Sequence, residues 1–332
     1  MSEFSTRYTF NSISGYLKGR FGCKVAKLSI EGGFTCPNRD GTKGTGGCIF
    51  CSAAGSGDLA SDIPSQIRLL SDKWPSAKYL AYFQSHTNTY APAGELRRKY
   101  QEALEYPGVV GLAIATRPDC LSSEVLDLLS EFNTKTFLWV ELGLQTIHEE
   151  TAALINRCYP LSVYDSAVAE LTARGIRVVT HLIFGLPGES RERMLESVRY
   201  VCRNLDEAPM GRGQDTGLAP ARMANIDPDT APHRIFGIKL HMLNLVRGSQ
   251  METLYPDYVS FASMEEYIDL VVSALELIPP EVTIHRLSGD APRPTLIAPE
   301  WSYRKRTILN GIHQALRQRE TWQGVLWQER VF

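Results

Sequence analysis

The chain has 332 residues, 43% of them hydrophobic and 22% charged, which is ordinary for a globular protein and enough for one large core or two modest ones. A formal net charge of −2 argues against a partner held mainly by charge, such as DNA or an anionic membrane surface, and leaves room only for a local basic face. No run of about 18 apolar residues occurs, and the opening MSEFSTRYTF lacks the basic start and apolar stretch of an export signal, so a cytoplasmic protein is expected.

Apolar strand-like runs alternate with amphipathic helical ones. Strands are expected at 25–30, 79–83, 109–115, 137–142, 177–184, 237–243 and 282–287, several of them apolar almost throughout, as strands covered on both faces should be. A helix is expected over 162–174, with Val163, Ala167, Val168 and Leu171 on one face, Ser162 and Asp165 as a capping pair, and Gly175 as its stop. The stretch 206–234, rich in Gly, Pro, Asp and Ala and without a period, reads as a surface insertion. Another helix should start near Ser263, with Glu266 at the capping-box position, and run to Leu277 before Pro279 and Pro280. A final helix near 303–319 carries Arg304, Lys305, Arg306, Arg317 and Arg319, read as a solvated face. Strand–helix alternation at this spacing predicts an α/β fold with a parallel sheet and right-handed crossovers, which a doubly wound sheet or a barrel would satisfy equally.

Seven cysteines are present, an odd number that fits poorly with a disulfide framework. Three of them, Cys36, Cys48 and Cys51, follow directly on the first strand in CPNRDGTKGTGGCIFC. The C-x2-C pair aims two thiolates at one centre, the third comes from the head of the loop, and the glycines between let the backbone curl around an inorganic core. Three thiolates cannot close a four-coordinate zinc site, but they can hold three irons of a four-iron cube and leave the fourth open. A zinc knuckle completed by Cys23 or a histidine is the alternative, and it would make the protein an RNA-binding or scaffold protein without redox activity.

With this loop, the later blocks FQSHTNTYAP, TRPDCL, ELGLQT, HLIFGLPGE and HRLSGDAPR resemble the radical S-adenosylmethionine (SAM) superfamily, in the branch of the Elongator catalytic subunit and the oxygen-independent coproporphyrinogen oxidase. The resemblance spans about residues 8–301. It departs from the common C-x3-C-x2-C spacing, because eleven residues separate Cys36 from Cys48 here; loop closure costs grow only slowly with length, so the longer gap is tolerable. The resemblance implies a partial (β/α)6 TIM-like barrel with a C-terminal α/β extension, divided as a core of 1–250 and an extension of 251–332. It implies a [4Fe-4S] cluster on Cys36, Cys48 and Cys51, with SAM at the C-terminal ends of the strands. The SAM contacts it implies are Asn88, Thr89, Arg117, Gln145, Arg157, His181 and Gly185. Arg117 is equally readable as a salt-bridge partner of Asp119 or Glu141, Glu141 as the residue orienting Arg157 or Arg117, and Arg286 as paired with Asp290. The activity implied is reductive cleavage of SAM to a 5′-deoxyadenosyl radical that takes hydrogen from a substrate, with a flavodoxin- or ferredoxin-like electron donor. The Elongator-like blocks point to an RNA base as substrate, while a small metabolite or a peptide remains open.

Overall fold

Seven parallel strands lie side by side in one curled sheet, in the order in which they occur along the chain. The computed structural model describes residues 10–52, 55, 57, 59–203, 235–289 and 291–327; the expected insertion at 206–234 and Asp290 lie outside them. The strands are β1 (Val25–Ile30), β2 (Lys78–Phe83), β3 (Val109–Thr116), β4 (Phe137–Gln145), β5 (Arg177–Phe184), β6 (Gly237–Met242) and β8 (Thr283–Arg286). A two-stranded antiparallel pair, β7 (Leu245–Val246) and β9 (Leu296–Ala298), stands apart from the sheet. Crossover helices α2 (Ile63–Ser71), α3 (Ala93–Glu105), α4 (Ser123–Lys135), α6 (Leu161–Ala173) and α7 (Arg191–Cys202) cover its outer face. The curl makes this an incomplete barrel, and its strand sequences explain why: Leu112, Ile114, Leu138, Val140, Leu142 and Val179 are all wholly buried, as strands covered on both sides require.

β1 and β8, the two ends of the sheet, do not pair. Helix α1 (Ile13–Phe21) spans between them, entered through a backbone bond from the Ile284 amide to the Asn11 carbonyl at 2.7 Å. The same Asn11 is clasped from the other end of the chain. Its amide N–H donates to Gln323 Oε1 at 2.8 Å, and Gln323, wholly buried, donates in turn to the Pro279 and Val282 carbonyls.

Expected helix ends are met in part. Ser263 caps α9 (Met264–Leu277) by accepting from the Glu266 amide at 3.1 Å, and Glu266 returns a bond to the Ala262 amide. The cap expected at Ser162 is not formed: α6 begins one residue earlier, after Pro160, and Asp165 instead accepts from Tyr200 and Arg203 of α7. Proline at the entrance already fixes the first turn, which frees Asp165 for a contact between helices. In α10 (Lys305–Gln318) the cationic residues of the expected basic face are exposed, with Arg319 just beyond it paired to Asp269.

Strand β3 approaches β4 so closely at Gly111 that a methyl group there would overlap the Phe137 carbonyl, a backbone atom that cannot step aside. Gly111→Ala should therefore destabilise the fold by about 1–3 kcal/mol, the usual cost of overpacking. A urea denaturation midpoint lowered at unchanged slope is the expected reading, and an unchanged midpoint would contradict it.

Candidate functional site

All three cysteines of the loop after β1 line a single cavity at the C-terminal end of the sheet, with side chains from β2 to β6 and from the segment beyond β8. The long gap between Cys36 and Cys48 is taken up by a tight excursion. The Cys36 carbonyl accepts from the Arg39 and Asp40 amides, Asp40 bridges Thr45, and the Gly47 amide returns to the Asn38 carbonyl at 2.7 Å. The additional residues thus fold back on themselves, and Cys36 and Cys48 reach the same cavity. Gly46 and Gly47 sit at φ of 77° and 82°, where a side chain would be strained, and a Cβ on Gly47 would also press on Arg39.

The loop is fastened from the far side of the barrel. Asn156, itself at φ 57°, donates from its side chain to the Gly47 carbonyl at 2.8 Å, and its own carbonyl accepts from Asn38 Nδ2 at 2.5 Å. Asn38 Nδ2 also lies 3.6 Å from Cys48 Sγ, a donor placed on the thiol. Among the described residues, no three His, Cys, Asp or Glu side chains converge as ligands of one ion do. A cluster makes a different demand, since each thiolate binds a different iron.

The other expected SAM contacts fall into two groups. Arg117, Gln145, Arg157 and His181 line the cavity. Asn88, Thr89 and Gly185 do not line it. Asn88 lies beneath the β2 end, donating to the Ala115 carbonyl at 2.8 Å, while Thr89 bonds Thr116 and the Cys120 carbonyl. Gly185, at φ 83°, is packed against Ser260 and Phe261. Around them the end of β2 holds three buried polar atoms with no partner among the described residues: Ser85 Oγ, His86 Nδ1 and Asn88 Oδ1. Such atoms cost stability unless something satisfies them, and a ligand with a polar head does so.

Both arginines are engaged. Arg117 forms a two-pronged pair with Asp119, both bonds 2.9 Å, and so selects Asp119 over Glu141. Arg157 is buried with its guanidinium donating to the Leu144, Thr146 and Tyr159 carbonyls, so it staples the end of β4. Gln145 has its backbone at φ 67° and folds its amide back over Gly143, within reach of the Gly143 and Leu144 carbonyls at 3.1 and 2.8 Å.

Glu141 orients neither arginine. It is wholly buried and accepts from Trp139 Nε1 at 2.9 Å, His181 Nε2 at 3.0 Å and the Lys239 ammonium. Lys239, equally buried behind the cavity floor, also donates to the Tyr82 hydroxyl at 2.9 Å. Burial alone would push the Glu141 carboxyl up; the Lys239 charge and the His181 bond overcome it and hold the group well below the ordinary carboxylate range. Burial, then the Lys239 charge, drive the His181 imidazole down to about 4, despite the pull of Glu141. His241 and His285 are shifted in the same direction, again chiefly by burial.

These histidines make the fold sensitive to acid. A folded-state value depressed below the unfolded value near 6.5 means that the unfolded chain binds the proton first. For His181 stability is then full above about pH 6.5 and falls by about 1 kcal/mol per pH unit as pH drops toward 4. Denaturation followed between pH 7 and pH 5 should show this slope, and His181→Gln should reduce it; a flat profile would contradict the assignment.

Comparison with known proteins agrees with this geometry. The sequence profile described as Radical SAM superfamily matches residues 36–201, and that described as Radical_SAM C-terminal domain matches 235–318. The chain is 42% identical over 333 residues to the YtqA protein of Bacillus subtilis (strain 168), covering 98% of this chain and 94% of that one. The chain belongs to the radical SAM superfamily. A second relative, the YhcC protein of Escherichia coli (strain K12), is 38% identical over 300 residues, covering 88% of this chain and 87% of its own. Among solved structures, Elp3 of the archaeon Methanocaldococcus infernus is similar with a TM-score of 0.61 at 17% identity, over 90% of this chain and 64% of that one, which shows the shared fold. The radical SAM protein described here is therefore an enzyme built on the incomplete barrel of that superfamily. None of the described helices is long and apolar enough to cross a membrane.

Reading by motif missed the floor of the radical SAM barrel. Lys239 sits alone in an apolar strand, as Glu141 does in another, and that pair of isolated opposite charges was the available signal. His86, His241 and Asn244 were not singled out either, and all three face the cavity.

Proposed function

We propose that this enzyme holds a [4Fe-4S] cluster on Cys36, Cys48 and Cys51, binds SAM against it, and acts on an RNA base. The observation that carries the reading is the meeting, in one cavity, of three thiols from one loop with the buried, unpartnered ring nitrogen of His86 at the end of β2. When bound, the cluster and SAM supply an electron and a 5′-deoxyadenosyl radical that takes hydrogen from the substrate. The chain's own part is positioning. Cys36, Cys48 and Cys51 would hold the cluster through their three thiols, and His86 would offer a polar partner to the amino or carboxylate group of SAM. Arg157 and Asn156 keep the β4 end and the cysteine loop in register, and Phe50, Ile183 and Leu243 exclude water.

In this reading the electron comes from a flavodoxin- or ferredoxin-like donor, and the enzyme works in the cytoplasm. Residues 1–250 carry the chemistry, while 251–332 are an extension that completes the sheet through β8 and borders the cavity with Arg286, Gly289, Ala291, Pro292 and Thr295. The RNA base as substrate rests on the Elongator-like sequence blocks. The test is anaerobic reconstitution with iron and sulfide, then dithionite reduction in the presence of SAM. Brown protein that forms 5′-deoxyadenosine is the expected outcome. A colourless protein retaining about one zinc per chain overturns the reading.

A further inference from the structure

At the β6–β8 side of the cavity, away from the cysteines in the chain, stand two more polar groups without partners. His241 Nε2 and Asn244 Oδ1 are each buried, each on a residue that lines the cavity, and neither finds a hydrogen-bond partner among the described residues. The neighbouring His181 ring lies 5.2 Å from that of His241, but its Nε2 is committed to Glu141. His241 is thus the histidine of this pair with a buried ring nitrogen to spare. Asn244 is given its place by Gly289, where any side chain would collide with the Asn244 amide.

We propose that His241 and Asn244 form a substrate subsite that reads the hydrogen-bonding edge of a nucleobase. The inference rests on the reading of the enzyme as one that acts on an RNA base, and it names the residues that would recognise that base. The unpartnered atom of Asn244 is an acceptor, so the group seated there must bring an N–H or O–H donor, which a carboxylate or phosphate lacks. The imidazole of His241 gives or takes a proton-sharing contact according to tautomer and so tolerates either partner beside that donor. Leu243, Val246, Ala291 and Pro292 line the same region and offer apolar contact to the faces of a flat ring. A polar edge met by side-chain amides with ring faces against apolar groups is how proteins take up an unstacked base. Both a free nucleoside and a base turned out of a strand present this edge.

The test is binding rather than turnover. Ligand-observed NMR would be run on the full chain, with and without anaerobic reconstitution, using the four ribonucleosides, each beside an edge-methylated analogue such as 3-methyluridine or N6,N6-dimethyladenosine. Short single-stranded oligoribonucleotides would distinguish a base within a strand from the free nucleoside. Ribose 5-phosphate and N-acetylglycinamide serve as competitors without a base. At least one nucleoside or oligonucleotide should bind, its edge-methylated form about tenfold more weakly, the loss expected when one hydrogen bond is replaced by an unpaired buried group. Asn244→Leu should weaken binding similarly. Gly289→Ala, which displaces Asn244 without altering its chemistry, should do the same while leaving the denaturation midpoint of the protein close to wild type. Equal binding of methylated and unmethylated forms, no binding of any base, or stronger binding of ribose 5-phosphate or N-acetylglycinamide would overturn the subsite. Failure of the wild type to take up iron and sulfide would instead strike at the cluster reading, a result visible in colour and iron content alone.

Discussion

Replacing any one of Cys36, Cys48 or Cys51 by Ala is expected to leave a protein that folds, yet does not retain an iron–sulfur chromophore after anaerobic reconstitution and forms 5′-deoxyadenosine only at background level. Each thiol comes from a loop fastened by backbone bonds and by Asn156, so removal of one sulfur leaves the fastening intact. The contrast with Cys23→Ala makes the test specific. Cys23 lies just before β1, outside the cavity, and its loss should leave iron content unchanged. Iron and acid-labile sulfide measured on the four variants decide the matter. Retention of a full cluster in any of the three, or its loss in Cys23→Ala, would remove the assignment of ligands.

Breaking the buried pair under the cavity should have the largest effect on the fold itself. Lys239→Met leaves Glu141 ionised, wholly buried and without its countercharge, for which about 3–5 kcal/mol is expected. Glu141→Gln leaves the ammonium buried without its countercharge, with only neutral oxygens, such as the Tyr82 hydroxyl, to accept from it. The double variant, Lys239→Met with Glu141→Gln, should recover much of the loss, because it removes both charges together. Urea denaturation of the three proteins forms the cycle. Losses that simply add would show that Lys239 and Glu141 do not act as a pair.

Much of the sheet was legible in sequence because its strands are apolar almost throughout: the runs at 25–30 and 177–184 coincide with β1 and β5. Strand ends were less so. β4 continues three residues past the run expected at 137–142, as far as Gln145, because its last residues are held by Arg157, a partner that comes from a later loop. The meeting of Cys36, Cys48 and Cys51 at one cavity was legible because spacing in the chain is itself the signal. Asn88 and Thr89 do not line the cavity while Gln84, His86 and Thr87 of the same block do, because the direction of a side chain at the end of a strand depends on turns that the motif does not encode. The polar floor was harder still. Glu141, Lys239, Tyr82 and His181 come from four strands, and no local pattern brings them together.

The clasp between Asn11 and Gln323 bears on the order in which the molecule is made. In this sheet each strand pairs with its predecessor, apart from the short β7, so the layer can grow by successive local additions as the chain emerges from the ribosome. The contact between Asn11 and Gln323 spans 312 residues and cannot form until Gln323 has left the ribosome. Until then Asn11 is tied to the β8 side of the sheet through Ile284, Pro280 and Glu281. Shortening the chain before Gln323 would remove the last of its fastenings without touching a single residue of the cavity.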